Sequence, residues 1–332
     1  MKFQKSCLPE KFTKKALEKP YSSKNSWGHT YGAHKEYLEF SLEQFRDLQN
    51  YANQLGIIFS SSAMDPISLE QLYSLDLPFI KIGSGDANNF PMLQYAAARH
   101  TPLVISTGMQ TEQTLYKIVE IMKNANKTDF CLMHCVSAYP TEDHNTNLQM
   151  IKKLKVMFPE VCIGYSGHEQ GIAITVAAGL LGAKIIERHF TLDKNQKGTD
   201  HSLSLVPNEL NLLTTQLKII HRDFKSVNNL TEIIKIMEGH LEYTDTAAVS
   251  KAYDSFYSKE IHPWELDCYN KLGKSLVYAK YLNKGHILTS NDMCVKVSEP
   301  KGISPDKFHD VIGSVLKADV LCDTPLQFDH IV

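Results

Sequence analysis

Two histidines and one glutamate are the residues of this sequence best suited to hold a divalent cation and to move protons. His168 ends an apolar run that begins at Val161, and Glu187 and His189 lie in the next apolar run, after one helix-like segment. Strands joined by a right-handed helical crossover lie side by side, so these side chains come from neighbouring strands. Glu187 and His189 are two residues apart and point to the same side of their strand. Because neutral imidazoles suit divalent Mn, Fe, Co or Zn, the pattern predicts a metal site. The alternative is that His168 caps a turn and His189 packs in the core.

Hydroxyl side chains and a lysine accompany the other predicted strands. Lys81 lies within an apolar run that leads into Gly83-Ser84-Gly85, whose backbone amides could face a phosphate. A lysine in an apolar strand needs an anionic partner, since desolvation of its charge is costly. Six hydroxyl residues fall where strand-like runs end: Ser60, Ser84, Ser106, Thr107, Ser137 and Ser166. This ring predicts a small ligand with phosphate, carboxylate or both, although small polar residues also simply terminate strands.

These residues are positioned by a regular alternation of strands and helices. Ser41 and Gln44 form a capping-box pattern that begins the first clear helix. Predicted strands at 57–59, 79–82, 103–105, 130–136, 162–165 and 184–190 alternate with predicted helices at 68–75, 90–99, 113–123, 148–157 and 171–181, and a last helix spans 207–224. Residues 11–39 are predicted to be a long loop with a helical turn at 14–18.

Strict alternation predicts an α/β protein with a parallel sheet covered by helices. Polar clusters follow every predicted strand, whereas a doubly wound sheet concentrates its signature after one or two strands. No GxGxxG follows a strand. We therefore predict a TIM (β/α)8-type barrel with its site at the carboxyl ends of the strands.

The chain changes character after residue 228. Residues 229–269 mix polar and aromatic side chains and are predicted to form an irregular or partly helical linker. From residue 270, short β-prone runs are separated by turns at Asn283-Lys284-Gly285 and Pro300-Lys301-Gly302. The predicted domains are a barrel at 1–228, a linker at 229–269 and a small β-rich domain at 270–332.

Composition excludes several classes of protein. With 332 residues, 43% hydrophobic and 22% charged content and a formal net charge of -2, the chain resembles an ordinary globular protein, and its charge does not favour nucleic acid or a membrane surface. The longest apolar run, 171–183, is too short to span a bilayer. No signal peptide is recognisable. Seven cysteines without a CxxC pair predict reduced thiols and a cytoplasmic location.

Six motifs in this order resemble the sialic acid synthase family, in its animal N-acylneuraminate-9-phosphate synthase branch: Lys2-Phe3-Gln4 and residues 81–86, 106–109, 137–140, 164–168 and 187–190. The second domain resembles the antifreeze-like (SAF) domain of these synthases. The resemblance implies a transferase that condenses phosphoenolpyruvate with N-acetylmannosamine 6-phosphate and releases phosphate. It also implies a homodimer in which the SAF domain is swapped onto the partner barrel.

The resemblance further implies a role for each residue of the site. His168 and His189 match ligands of a divalent metal, Mn²⁺ or Mg²⁺, that acts as a Lewis acid. Glu187 matches a carboxylate with an acid–base role. The residues that match phosphoenolpyruvate contacts are Lys2, Ser60, Lys81, Ser84, Ser106, Ser137 and Ser166, and those that match sugar contacts are Gln4, Tyr139 and Asp200.

Family members place a strand, a loop and a helix before the lysine that matches Lys2, so we expect a barrel that lacks its first strand and helix. Two alternative functions stay open. One is the same chemistry on mannose 6-phosphate, which yields a deaminated nonulosonate. The other is a catalytically silent paralogue that binds a sugar phosphate or a full-length partner. Ice binding is disfavoured, because charged residues such as Lys274 and Asp292 replace the regular threonine face that ice contact requires.

Overall fold

The computed structural model describes residues 1–242 and 245–332. They group into two compact units. The first unit contains residues 1–104, 113–129 and 268–332, and the second contains residues 105–112 and 130–267. Residues 243 and 244 of the predicted linker lie outside the described part of the chain.

One sheet contains seven strands whose order follows the chain. The strands are β1 (Lys2–Lys5), β2 (Ser60–Ala63), β3 (Ile80–Ile82), β4 (Leu103–Ser106), β5 (Phe130–Cys135), β6 (Cys162–Gly167) and β7 (Ile186–Arg188). β2 pairs in parallel with β1 and β3, and β6 pairs in parallel with β5 and β7. Sequential order is characteristic of (β/α)8-type barrels, whereas a doubly wound sheet reverses its order at a switch point. The predicted fold class is confirmed.

Helices separate the strands as predicted. In chain order they are α1 (Leu8–Lys11), α2 (Lys14–Glu18), α3 (Tyr31–Leu38), α4 (Leu42–Gln54), α5 (Pro66–Tyr73), α6 (Phe90–Ala97), α7 (Glu112–Asn124), α8 (Gln149–Met157), α9 (Ala173–Leu180), α10 (Pro207–Asp223), α11 (Leu230–His240), α12 (Thr246–Asp254) and α13 (Leu266–Leu272). The predicted capping box is present, since the Ser41 hydroxyl accepts from Gln44 N–H and the Gln44 side chain accepts from Ser41 N–H. The start of α4 is therefore fixed by local side-chain hydrogen bonds.

The prediction of a long loop at 11–39 was wrong in part. The helical turn at 14–18 is present as α2, but α3 was missed. Thr30 caps α3 by accepting a hydrogen bond from Ala33 N–H, and the Tyr31 ring packs edge-on against buried Phe12 at 5.6 Å. The segment lacks helical periodicity, so its order depends on these nonlocal contacts rather than on its own pattern.

The second strand begins later than predicted. Ile57 and Ile58 were expected in the strand, but Ile58 is 64% exposed and β2 starts at Ser60. All four residues of β2, Ser60–Ala63, are buried. Hydrophobicity therefore misplaced this strand. Its buried residues are serines and an alanine, whereas the large apolar residues Ile57 and Ile58 lie outside it and are exposed.

The second domain is β-rich, as predicted. β8 (Ser275–Tyr278) pairs antiparallel with β9 (Met293–Lys296), and a core that includes Leu276, Tyr278 and Phe308 supports the pair. Within the first unit, Lys274 Nζ donates to Asp86 Oδ1 at 2.5 Å and to the Met64 carbonyl at 2.6 Å. Both charged side chains are 1% exposed. Each neutralises a charge that would be costly to bury alone, so this pair joins the domain to the loop after β3.

All seven cysteines are described and none forms a disulfide. Across residues 1–242 and 245–332, no helix combines the length and apolar character that crossing a membrane requires.

His134 is a buried histidine of β5 in the second unit. Its Nε2 lies 2.8 Å from the Thr146 carbonyl, which makes Nε2 the protonated nitrogen of a neutral ring. Nδ1 is buried and has no hydrogen-bond partner among the described residues. Burial, assisted by the charge of Lys259, lowers the pKa of His134 from 6.5 to about 3.

This shift predicts acid sensitivity of the folded state. Because the pKa of His134 is lower in the folded state than in the unfolded state, the unfolded state binds more protons between pH 6.5 and 3. The free energy of unfolding is therefore highest above pH 6.5 and decreases as the pH falls towards 3. Its loss is about 1.4 kcal/mol per pH unit within that window. Urea unfolding at pH 7.5 and 5.5 should therefore show a smaller pH dependence in His134→Gln, whose amide can still donate to Thr146, than in the wild type or in exposed His100→Gln. Equal pH dependence in all three proteins would contradict the assignment.

Candidate active site

The second unit brings the predicted histidines and glutamate together at the carboxyl ends of β6 and β7. Ser166 of β6 is the register partner of Glu187 of β7, so their side chains share one face of the sheet. His168 follows two residues after Ser166 and His189 two residues after Glu187. The rings of His168 and His189 lie 5.4 Å apart, centroid to centroid, with an angle of 73° between their planes. Parallel register thus sets the spacing of the cluster.

The orientation of His168 is fixed by a backbone carbonyl. Its Nδ1 lies 2.7 Å from the Val136 oxygen, so Nδ1–H donates and Nε2 keeps its lone pair. Histidines that bind metals are commonly held in this way through the second ring nitrogen. Burial lowers the pKa of His168, but the Cys135 side chain and the Val136 carbonyl outweigh that effect, and the pKa is raised. In the protonated form of the ring Nε2 also carries a hydrogen, so metal binding at Nε2 would require loss of that proton.

Tyr139 and Asp200 border the two imidazoles. The Tyr139 ring lies 4.1 Å from that of His168 and 5.8 Å from that of His189. Asp200 Oδ2 lies 3.8 Å from His189 Nδ1. Tyr139 and Asp200 are both partly exposed, so the cluster is accessible from solvent.

These residues can be compared with what a divalent metal requires. Among the described residues there is no group of three or more His, Cys, Asp or Glu side chains arranged to hold a metal ion. Two imidazoles, one of them with its Nδ1 engaged, fit a cation that takes its other ligands from water or substrate oxygens. The donor set therefore suits an open metal site rather than a closed structural one.

A buried ion pair lies behind the cluster. β7 is shorter than the strand predicted at 184–190, and it ends at Arg188, between Glu187 and His189. Strand alternation directs the Arg188 side chain to the face opposite that of Glu187. Arg188 Nη1 donates to Glu169 Oε1 at 3.1 Å, and the two side chains are 2% and 0% exposed. Glu169 also accepts from Tyr165 Oη at 2.8 Å and from Thr175 Oγ1 at 2.5 Å. Each ion-pair partner is the chain neighbour of a site histidine, so the pair fixes the backbone of both.

Glu169→Gln should destabilise the folded protein. The change leaves the Arg188 guanidinium buried without its counter-charge, which costs about 3–5 kcal/mol when one partner of such a pair is removed. Urea unfolding measures the loss, and exposed Glu142→Gln is the matched control with a change within about 0.5 kcal/mol. Adding Arg188→Met should restore part of the loss. A Glu169→Gln protein as stable as the control would show that the pair contributes little.

The second unit also contains four of the predicted hydroxyl residues. Ser106, Thr107, Ser137 and Ser166 are all buried, and the Thr107 hydroxyl donates to the Met133 carbonyl at 2.8 Å. The Ser106 hydroxyl oxygen has no hydrogen-bond partner within the described part of the chain. An unsatisfied buried hydroxyl is unfavourable, and an oxygen-rich ligand would remove the penalty.

The first unit carries the predicted lysines. β1, β2 and β3 place five side chains on one face, because Lys2 pairs with Ser60, Gln4 with Ser62 and Ser62 with Lys81 in register. Lys2 Nζ donates to Ser62 Oγ at 3.2 Å, and Lys81 is buried. Two ammonium groups with neighbouring hydroxyls on one strand face form a set of donors for an anion.

Of the two predicted hydroxyl positions in the first unit, one differs from the prediction and one agrees with it. Ser60 begins β2 rather than ending a strand, and its hydroxyl donates to the Phe79 carbonyl at 2.7 Å. Ser84 opens a short 3-10 turn directly after β3, as its motif predicts. Ser62, which lies beside Lys81, was not among the predicted residues, because its position became clear only from the strand register.

Comparison with known protein families identifies the family to which this chain belongs. Residues 1–228 match the NeuB family and residues 273–332 match the SAF domain. The chain belongs to the NeuB family and carries a SAF domain, which confirms the resemblance inferred from the six motifs.

Similar proteins cover nearly the whole chain. It is 52% identical to N-acetylneuraminate-9-phosphate synthase of Drosophila melanogaster over 100% of this chain and 87% of that protein. It is 45% identical to the Homo sapiens N-acetylneuraminate-9-phosphate synthase over 94% of this chain and 78% of that protein. The crystal structure of the Bacillus subtilis spore coat polysaccharide biosynthesis protein spsE shares the fold, with a TM-score of 0.74, 24% identity and coverage of 100% and 86%.

Proposed function

We propose that this chain condenses phosphoenolpyruvate with N-acetylmannosamine 6-phosphate to give N-acetylneuraminate 9-phosphate and inorganic phosphate. The names of the Drosophila and human relatives support this activity. The structural observation that carries the proposal is the pair of imidazoles, His168 and His189, whose rings lie 5.4 Å apart at the ends of strands that also carry Glu187. Two imidazoles can hold a cation that activates an aldehyde, and a carboxylate can transfer a proton.

Phosphoenolpyruvate carries a phosphate and a carboxylate, and the lysines are proposed to neutralise these charges. Lys2 and Lys81 share a strand face in the first unit. The hydroxyl residues proposed to bind the same substrate are Ser60, Ser84, Ser106, Ser137 and Ser166. The buried Ser106 hydroxyl supports this role, since a substrate oxygen would supply the missing partner.

The sugar is proposed to contact Gln4, Tyr139 and Asp200. In the reaction, C3 of phosphoenolpyruvate forms a bond to the aldehyde carbon of the open-chain sugar, and the aldehyde oxygen becomes a hydroxyl by gaining a proton. Water adds at C2, and the C2–O bond to phosphate breaks. Glu187 is the proposed proton carrier, a role worth about 10²–10⁴ in rate for a well-placed acid or base.

His168 and His189 are the proposed ligands of a divalent Mn²⁺ or Mg²⁺ ion. When bound, the ion supplies Lewis-acid polarisation of the aldehyde oxygen. The protein fixes the orientation of the His168 imidazole. The Val136 carbonyl accepts from Nδ1–H, which leaves Nε2 as the nitrogen that would bind the ion. Imidazole ligands favour Mn²⁺ over Mg²⁺.

The decisive assay is phosphate release by the purified chain with phosphoenolpyruvate, Mn²⁺ and either N-acetylmannosamine 6-phosphate or mannose 6-phosphate. We expect turnover with the first acceptor, and a loss on the order of 100-fold or more with chelator, His168→Ala or His189→Ala, because Lewis-acid assistance is worth several kcal/mol. Exposed His100→Ala should be unaffected. Preference for mannose 6-phosphate would reassign the acceptor. A folded wild-type protein that binds Mn²⁺ but turns over neither sugar would reject the proposed activity.

We also propose a cytoplasmic homodimer in which the SAF domain of one subunit is exchanged onto the barrel of the other. In such a dimer the Lys274–Asp86 contact forms between subunits. Sedimentation should then give twice the chain mass of 37.5 kDa. Zero-length cross-linking of a dimer reassembled from light and isotopically heavy chains should yield Lys274–Asp86 peptide pairs of mixed isotope. Pairs of a single isotope only, in a sample whose subunits have exchanged, would show that the contact stays within one chain.

A further inference from the structure

One carboxylate joins the loops that follow β4 and β5 in the second unit. Glu265 lies in the turn before α13 and is 1% exposed. Its Oε1 accepts hydrogen bonds from Met109 N–H and from Ser137 N–H, both at 2.9 Å. Oε2 accepts from His262 N–H at 3.3 Å. Met109 follows β4 and Ser137 follows β5, so the side chain of Glu265 bridges the carboxyl ends of two neighbouring strands.

A second residue of the same segment holds the same strand ends. The Lys259 carbonyl accepts from Glu112 N–H at 2.9 Å, and buried Lys259 Nζ donates to the Cys135 carbonyl at 3.4 Å. Burial lowers the pKa of Lys259, an effect that Glu265 and Cys135 oppose. Residues 259–265 are therefore attached to the loops after β4 and β5 at several points, and they carry a buried positive and a buried negative charge.

The loop after β4 has an unusual backbone that Glu265 supports. Met109 has a φ of 55°, in the left-handed region that non-glycine residues seldom adopt. Such a conformation persists where surrounding contacts determine it. The carboxylate of Glu265 accepts from the N–H of this residue, and the loop follows directly on Ser106, the last residue of β4, whose hydroxyl has no partner among the described residues.

The loop after β5 leads directly to the metal-binding candidate. Val136 precedes Ser137 and accepts the hydrogen bond from Nδ1 of His168 at 2.7 Å. Thr141 N–H, in the same loop, donates to the His168 carbonyl at 3.0 Å. Fixing Ser137 N–H therefore also fixes the carbonyl that orients the imidazole.

We propose that Glu265 is a positioning residue for phosphoenolpyruvate: its carboxylate holds the loops after β4 and β5 so that the Ser106 and Ser137 hydroxyls converge on the substrate. This inference rests on the proposed function, because it takes these serines as phosphoenolpyruvate contacts. Glu265 itself does not touch substrate. Hydrogen bonds from backbone amides to an ionised carboxylate are stronger than those to a neutral oxygen, which gives the charge a specific role.

The test compares Glu265→Gln with Glu260→Gln, an exposed carboxylate of the same segment. Glutamine keeps one acceptor oxygen but removes the charge. We expect the KM for phosphoenolpyruvate to rise about 10- to 100-fold in Glu265→Gln, as for a misplacement of binding groups near 1 Å, with the KM for the sugar phosphate changed much less. Glu260→Gln should match the wild type in both constants. Thermal unfolding establishes that each variant is folded at the assay temperature.

A folded Glu265→Gln protein with unchanged KM for phosphoenolpyruvate would overturn the proposal, even if its Tm fell. If that variant does not fold, Glu265→Asp replaces it, since aspartate keeps the charge but is one methylene too short to reach both amides. If neither variant folds, Glu265 is required for folding of the second unit, and the positioning role is rejected. Two measurements separate the proposed function from the positioning role. A wild type without synthase activity in the assay rejects the proposed function. Unchanged affinity for phosphoenolpyruvate in a folded Glu265 variant, measured by isothermal titration, rejects only the positioning role.

Discussion

The parallel register between β6 and β7 is the constraint on which the rest of the site depends. It places Ser166 beside Glu187, and because side chains alternate along a strand, Glu187 faces one side of the sheet while Arg188 faces the other. A shift of one residue would exchange these faces and bury the wrong groups. The Arg188–Glu169 ion pair opposes that shift, since the buried guanidinium would lose the carboxylate to which it donates.

Buried charged side chains hold the loops that follow β3, β4, β5 and β6. Glu169 holds the segment after β6, Glu265 holds those after β4 and β5, and Asp86 with Lys274 holds the loop after β3 against the second domain. Such pairs contribute little net stability compared with apolar packing, but an unpaired member is strongly destabilising. They therefore exclude alternative loop conformations, which is what a site made of short side chains on several loops requires.

Local patterns were sufficient for part of this description. The Ser41–Gln44 capping box and the alternation of strands with helices depend on near neighbours, and each is found as predicted. Where burial does not follow hydrophobicity, the patterns failed. β2 is made of serines and alanine while Ile58 is exposed, and α3 forms in a segment without helical periodicity.

The sequence by itself determined the class of fold and the types of side chain available for chemistry, because helix caps, strand period and motif order are properties of short segments. Only the tertiary structure decided which nitrogen of His168 is available, that Ser62 stands beside Lys81, and that Glu265 binds two loops. The last of these joins residues 128 and 156 positions apart in the chain. No local pattern encodes such a pairing, since it exists only once the strands have placed two backbone amides within reach of one carboxylate.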